Sequence, residues 1–209
     1  MRIIHGIKMQ PIKIAKGVYV MEFLREPKGI QEFCGECKLT GQKVVDRQKK
    51  IRECVNVYKN NDAIYDHGDA LAYWVSNQNF NRESYAKGNL QWGITFINPF
   101  TVDGECAMTS GHYHGDTDCD EYYYGLKGEG FLLFWDGKED FYAEKIYPGS
   151  LHYINGHYAH RIINSGDEVL AVAACSLPSS KRDHKSIEIN GFPYRCYKRN
   201  GIIQWEKQR

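Results

Sequence analysis

The stretch "SGHYHGDTDCDEYYYGLKGEGFLLFW", Ser110 to Trp135, decides how this chain is read. Two histidines flank a tyrosine, a glutamate follows, and glycines break the run ahead of an apolar segment. On a β-strand, residues two apart face the same way. His112 and His114 therefore project to one side and Tyr113 to the other. Two imidazoles on the inner face of a barrel are costly unless something uses their lone pairs. A divalent metal does. Glu121 opens the next strand, within reach across a hairpin, and adds a carboxylate. The result is a two-histidine, one-carboxylate set with open positions, suited to Fe, Mn, Co, Ni or Zn.

On either side of this stretch, from about Ala70 onward, the sequence reads as strand after strand. The candidates are "ALAYWVS", "LQWGITFI", "CAMTSGHYH", "EYYYGLKG", "EGFLLFW", "FYAEKIY", "SLHYING", "HRIINS" and "EVLAVAACS", with Gly, Asn, Asp or Pro at nearly every break. Short strands at close, regular spacing predict an all-β sandwich or barrel. Upstream, "PIKIAKGVYVMEF" (11–23) alternates like a strand. "TGQKVVDRQKKIRECVNVYKNND" (40–62) carries Val44, Ile51, Val55 and Tyr58 at helical spacing and predicts a helix stopped by Asn60–Asn61. The tail beyond Leu177 is polar and reads as one more strand or a short helix. One folded unit is expected, with a strand-and-helix extension over 1–69, a barrel over 70–178 and a tail over 179–209.

Bulk composition excludes several classes. Of 209 residues, 42% are hydrophobic and 25% charged, ordinary for a globular chain. The net charge of +1 gives no bulk attraction to nucleic acid or anionic membrane. The longest apolar run, "VLAVAAC" (169–175), is too short to span a bilayer. The N-terminus shows neither a long apolar core nor a small-residue cleavage site. Seven irregularly spaced cysteines argue for reduced thiols and a cytoplasmic setting. "CGEC" (Cys34, Cys37) lacks the second pair that a zinc ribbon needs.

A fourth metal ligand is available from "PGSLHYINGHYAHRIINSGDE", which offers His152, His157 and His160. Spacing alone leaves the three open. The region resembles the two motifs of the cupin superfamily, the first carried by His112, His114, Glu121 and Gly128, the second by Gly149, His160 and Asn164. That frame selects His160. Two positions depart from it: Asn155 stands where proline is common and His157 where glycine is common. The resemblance implies a cupin double-stranded β-helix, a jelly-roll barrel.

A narrower resemblance rests on "TSGHYH" (109–114), "EYY" (121–123), "GLKGEG" (125–130) and "AHRIINSGDE" (159–168). Together these are similar to the cupin-type glucose-6-phosphate isomerases best known from archaea. The resemblance implies an aldose–ketose isomerase interconverting glucose 6-phosphate and fructose 6-phosphate, with one divalent metal on His112, His114, Glu121 and His160. It makes Glu121 the catalytic carboxylate. It places Thr95, Thr109, Gly111, Tyr123 and Tyr73 against the substrate, the two threonines and Gly111 at its phosphate. A hydride shift, with the metal polarising the substrate oxygens, is the alternative to proton transfer by Glu121. Ser176 stands where the family carries a phosphate-binding tyrosine; Lys181 or Arg182 is the candidate replacement, and His184 corresponds to a family histidine. The family's dimers add an N-terminal strand to the partner's sheet, so a homodimer is expected, with residues 11–23 in that role. No nucleic-acid or membrane partner is expected. Fold alone does not name a reaction, so an iron-dependent dioxygenase and a non-catalytic sugar-phosphate-binding cupin are the competing readings.

Overall fold

The structure is a computed structural model that describes residues 24–25, 29–30, 37–39, 43–78 and 88–208. Two antiparallel sheets face each other. In hydrogen-bonded order, the first runs Leu24–Arg25, Phe141–Ile146, Gly130–Trp135, Ala159–Asn164, Glu105–Met108, Tyr194–Arg199, Ile202–Lys207. The second runs Gly29–Ile30, Ser150–Ile154, Glu121–Lys127, Leu170–Ser176, Gln91–Ile97, Leu71–Gln78, Val44–Lys50. Leu24–Arg25 is the one parallel addition, against Phe141–Ile146. This is the all-β barrel that the strand pattern predicts, in the form that the cupin resemblance implies.

Alternation sorts the side chains. In "LQWGITFI", Gly93, Thr95 and Ile97 face the barrel interior, while Ile94 and Phe96 join a second cluster with Leu126, Ala171 and Ala173 on the outer face. The run Gly130–Trp135 does not alternate because both of its faces are covered. Leu132 and Phe134 point inward beside Ile162 and His160, whereas Phe131 meets Trp205 of the C-terminal hairpin with ring centroids 5.1 Å apart.

That hairpin, with the short helix Lys185–Asn190, is how the polar tail resolves into structure. Ile187, Phe192, Cys196 and Trp205 are buried on the barrel's outer face. The tail holds both a helix and two strands rather than one or the other.

The helix expected over 40–62 is corrected. Val44–Lys50 is an edge strand paired with Leu71–Gln78, and two 3₁₀ turns, Ile51–Glu53 and Asp62–His67, follow it. The four apolar residues at helical spacing belong to different elements, and Val55 is exposed. A charged edge strand looks helical in sequence because its side chains answer to solvent rather than to a core. Such charge also blocks edge-to-edge pairing with other chains. The strand expected at 11–23, and Cys34, lie outside the described residues. Among those described, no helix is long and apolar enough to cross a membrane.

Candidate metal centre and adjoining cleft

His112 and His160 face each other through an antiparallel bridge, with His112 N–H donating to His160 O (3.2 Å) and His160 N–H to His112 O (3.0 Å). His114 lies in the two-residue strand Tyr113–His114, paired with Arg182–Asp183. Glu121 begins the strand Glu121–Lys127. These four local placements bring the side chains together. One ligand atom from each of His112, His114 and His160 lies within 4.8 Å of the others. Glu121 Oε1 is 3.4 Å from His114 Nε2, and Oε2 is 3.8 Å from His160 Nε2. All four side chains are buried.

Hydrogen bonding leaves this cluster unfinished. His114 Nδ1 lies 2.6 Å from Cys119 O, so that nitrogen must carry the proton and donate. Nε2 then faces the Glu121 carboxylate at 3.4 Å without a hydrogen bond. His112 Nε2, His114 Nε2 and both Glu121 oxygens are buried without a hydrogen-bond partner. Buried polar groups are ordinarily satisfied, and a metal cation would satisfy this donor set. The bond from His114 Nδ1 to the Cys119 carbonyl is the arrangement that fixes the orientation of a ligating imidazole.

The local electrostatics agree. Burial, then His160 and Arg182, hold His112 well below the ordinary histidine pKa. Burial, then His114, do the same for His160. Both therefore present neutral rings, the form that binds metal. Burial raises the Glu121 pKa, opposed by the charges of His114 and Arg182 and by the Tyr123 hydroxyl beside it.

Tyr73, Thr95, Thr109, Gly111 and Tyr123 all line one cleft that also reaches His112 and His160. Thr109 Oγ1 accepts from Ile162 N–H at 3.2 Å, which leaves its own hydroxyl proton to donate. Gly111 has φ +74°, and a Cβ there would meet the Phe192 ring at 3.0 Å, Arg161 Nε at 3.1 Å and His160 O at 3.2 Å. Both the conformation and the crowding require glycine. Behind this turn, Arg161 donates to Ser110 O (2.6 Å) and stacks on Phe192, with burial lowering its pKa to about 10. Tyr123 Oη is 3.2 Å from His160 Nε2, and burial raises its pKa.

Ser176, Arg182 and His184 complete the wall of the cleft. His184 Nδ1 donates to Gly111 O at 2.7 Å, tying the last segment to the glycine turn. Lys181, the other candidate cation, is not in this wall. His157 is exposed on its turn. His152 is buried elsewhere, 2.7 Å from Glu144 and 2.8 Å from Ser150 Oγ. Asn155 supports the turn in its own way: its side chain accepts from His157 N–H (3.0 Å), and its carbonyl accepts from Tyr158 N–H (3.0 Å).

Two residues at this site escaped sequence reasoning. Arg161 sits beside a metal-ligand candidate, and its neighbour His160 drew the attention. Lys49 Nζ reaches Ser110 Oγ at 3.1 Å, from the segment misread as a helix. The alternation of Lys49 with Arg47 and Val45 was the signal available, and no apolar partner made it visible.

The chain is similar to proteins already known. The family model described as glucose-6-phosphate isomerase (GPI) matches residues 48–209. A glucose-6-phosphate isomerase from Thermococcus litoralis is 32% identical over 117 residues, covering 56% of this chain and 62% of that one. One from Sinorhizobium medicae is 30% identical over 144 residues, covering 67% and 66%. The chain thus spans less than two thirds of the length of these curated relatives. Among solved structures, oxalate decarboxylase from Bacillus subtilis matches with a TM-score of 0.41 at 17% identity, over 51% of this chain and 25% of that chain.

Proposed function

The chain belongs to the glucose-6-phosphate isomerase family, and from that premise we propose that it interconverts glucose 6-phosphate and fructose 6-phosphate at this cleft. One observation carries the reading. Four buried side chains, His112, His114, Glu121 and His160, converge, with His112 Nε2, His114 Nε2 and both Glu121 oxygens unpartnered, beside a cleft that His112 and His160 line and whose wall offers hydroxyls and Arg182. A divalent metal held by these four residues (Fe, Mn, Co, Ni or Zn) supplies, when bound, positive charge against the negative charge that develops on the substrate oxygens.

The chain's own groups take the remaining roles. The hydroxyls of Thr95 and Thr109 and the Gly111 amide hold the phosphate. Arg182 adds the charge that Ser176 cannot. Tyr73 and Tyr123 flank the sugar, and the Tyr123 hydroxyl is held against His160. Glu121 moves a proton between C1 and C2. The working unit is a homodimer, and light scattering at a monomer mass would remove that part of the reading.

A coupled assay converting fructose 6-phosphate to glucose 6-phosphate tests the proposal. Activity that appears with metal loading and disappears on chelation is expected; activity indifferent to both would refute it. Reaction in deuterated water examines the role of Glu121. Deuterium incorporated at C1 or C2 of product fits proton transfer, and its complete absence fits a hydride shift.

A further inference from the structure

One cation outside the residues that the family resemblance assigns reaches the phosphate end of the cleft. Lys49 stands opposite Tyr73 in the ladder between Val44–Lys50 and Leu71–Gln78. Residues directly opposite share a face of the sheet. The Lys49 ammonium accordingly lies 6.0 Å from the centre of the Tyr73 ring and 3.1 Å from Ser110 Oγ. Tyr73 and Ser110 both line the cleft.

The charge around this point is one-sided. Among the described residues Lys49 has no carboxylate within ion-pair range, whereas its neighbours Lys50 and Arg52 both pair with Asp69. Arg182 lines the same cleft, and no Asp or Glu does. Behind the turn, the buried Arg161 guanidinium bonds a carbonyl and a thioether, and its Nε has no partner. Lys49 and Arg161 thus both bond Ser110, and Arg182 shares the cleft; Glu105 acts on Arg161 and Glu121 on Arg182, whereas Lys49 meets no carboxylate among the described residues. A half-buried cation without a paired carboxylate is open to an anionic ligand. A phosphate monoester carries between one and two negative charges near neutrality and accepts several hydrogen bonds at once. The Ser110 hydroxyl is a neutral partner, and a charged acceptor is the stronger one.

We propose that Lys49 is a specificity-determining residue, whose ammonium moves from the Ser110 hydroxyl onto the substrate phosphate and sets the preference for phosphorylated over neutral sugars. The inference rests on reading the cleft as a phosphosugar site. Its edge strand brings the charge, so a segment outside the metal motifs tunes which sugar is accepted.

The test is calorimetric titration of the metal-loaded full chain with inorganic phosphate, beside kcat/KM for fructose 6-phosphate and for fructose. Lys49→Gln should weaken phosphate binding by about 10- to 100-fold, the range for a hydrogen bond to a charged group. It should lower kcat/KM for fructose 6-phosphate by a similar factor and leave that for fructose unchanged. Lys49→Arg should restore most of the affinity. Lys50→Gln removes the same charge away from the cleft and should change neither. Equal losses in the Lys49→Gln and Lys50→Gln variants, or wild-type phosphate affinity in Lys49→Gln, would overturn the proposal. Phosphate binding that depends on Lys49 in a chain that turns over no phosphosugar would sink the isomerase reading while leaving the role of Lys49 intact.

Discussion

Two buried histidine clusters occupy the same barrel, and they differ in whether their imidazoles are satisfied: among the described residues, Glu144 Oε1 is the one unpartnered atom beside His152. His152 is enclosed with Glu144 at 2.7 Å and Ser150 at 2.8 Å, so both of its ring nitrogens have partners. His112 and His114 are as deeply buried, yet Nε2 of each has none, and both oxygens of Glu121 are likewise unpartnered. The difference teaches that burial of a histidine says little about function. What distinguishes the metal centre is lone pairs left over after the protein's own hydrogen bonds are made.

That contrast can be broken from either side. The largest effect is expected from His112→Ala. Losing a ligand removes charge stabilisation worth several kcal/mol, so kcat/KM for fructose 6-phosphate should fall by about 10³-fold or more. Thermal unfolding should show the apo variant within a few tenths of a kcal/mol of the apo wild type, because the ring makes no side-chain hydrogen bond. His152→Ala should do the reverse. It leaves the Glu144 carboxylate buried and unpaired, a change that costs roughly 3–5 kcal/mol of stability. Denaturant unfolding reads that loss, and metal content per folded chain should stay at the wild-type value. A smaller effect sharpens the boundary between metal centre and cleft. Thr109→Ala removes one donor, and KM for fructose 6-phosphate should rise about tenfold with kcat largely kept. A kcat loss as large as that of His112→Ala would place Thr109 in the metal cluster instead.

The metal cluster was legible in sequence because its logic is local. His112 and His114 need only the two-residue period of an extended segment; Glu121, expected across a hairpin, instead begins a strand of another sheet, paired with Ser150–Ile154 and Leu170–Ser176, and meets them through the barrel's closure. Choosing His160 from three candidates required the motif frame; spacing alone did not separate it from His152. The structure gives the physical reason for the distinction, since only long-range packing places Glu144 against His152 and leaves His160 beside Glu121. The five expected substrate residues share one cleft because each lies on an inward position of a regular strand or on the glycine turn between strands.

What escaped the sequence depends on contacts across the chain. Lys49 is 61 residues from Ser110, and nothing near it in sequence announces the meeting. Its strand is charged and half-exposed, so hydrophobic periodicity, the signal that found the inner strands, is missing there. The stop at Asn60–Asn61 was real but ended a loop rather than a helix: Asn56 adopts φ +62°, and its N–H donates to Asn61 Oδ1 at 2.7 Å. In the tail, Cys196 and Trp205 are buried because the hairpin docks on the outer face of Gly130–Trp135, a packing partner far upstream. Arg161 shows the same limit. A charged residue in an inward-reading strand looks like a solvent position until Phe192 covers it.

Metal analysis of the purified chain, wild type beside His112→Ala, bears on the central claim most directly. After loading with a divalent transition metal and removal of excess, one ion per wild-type chain and a marked loss in the variant are expected. A wild-type chain that retains no ion, or a variant that retains as much as the wild type, would contradict it.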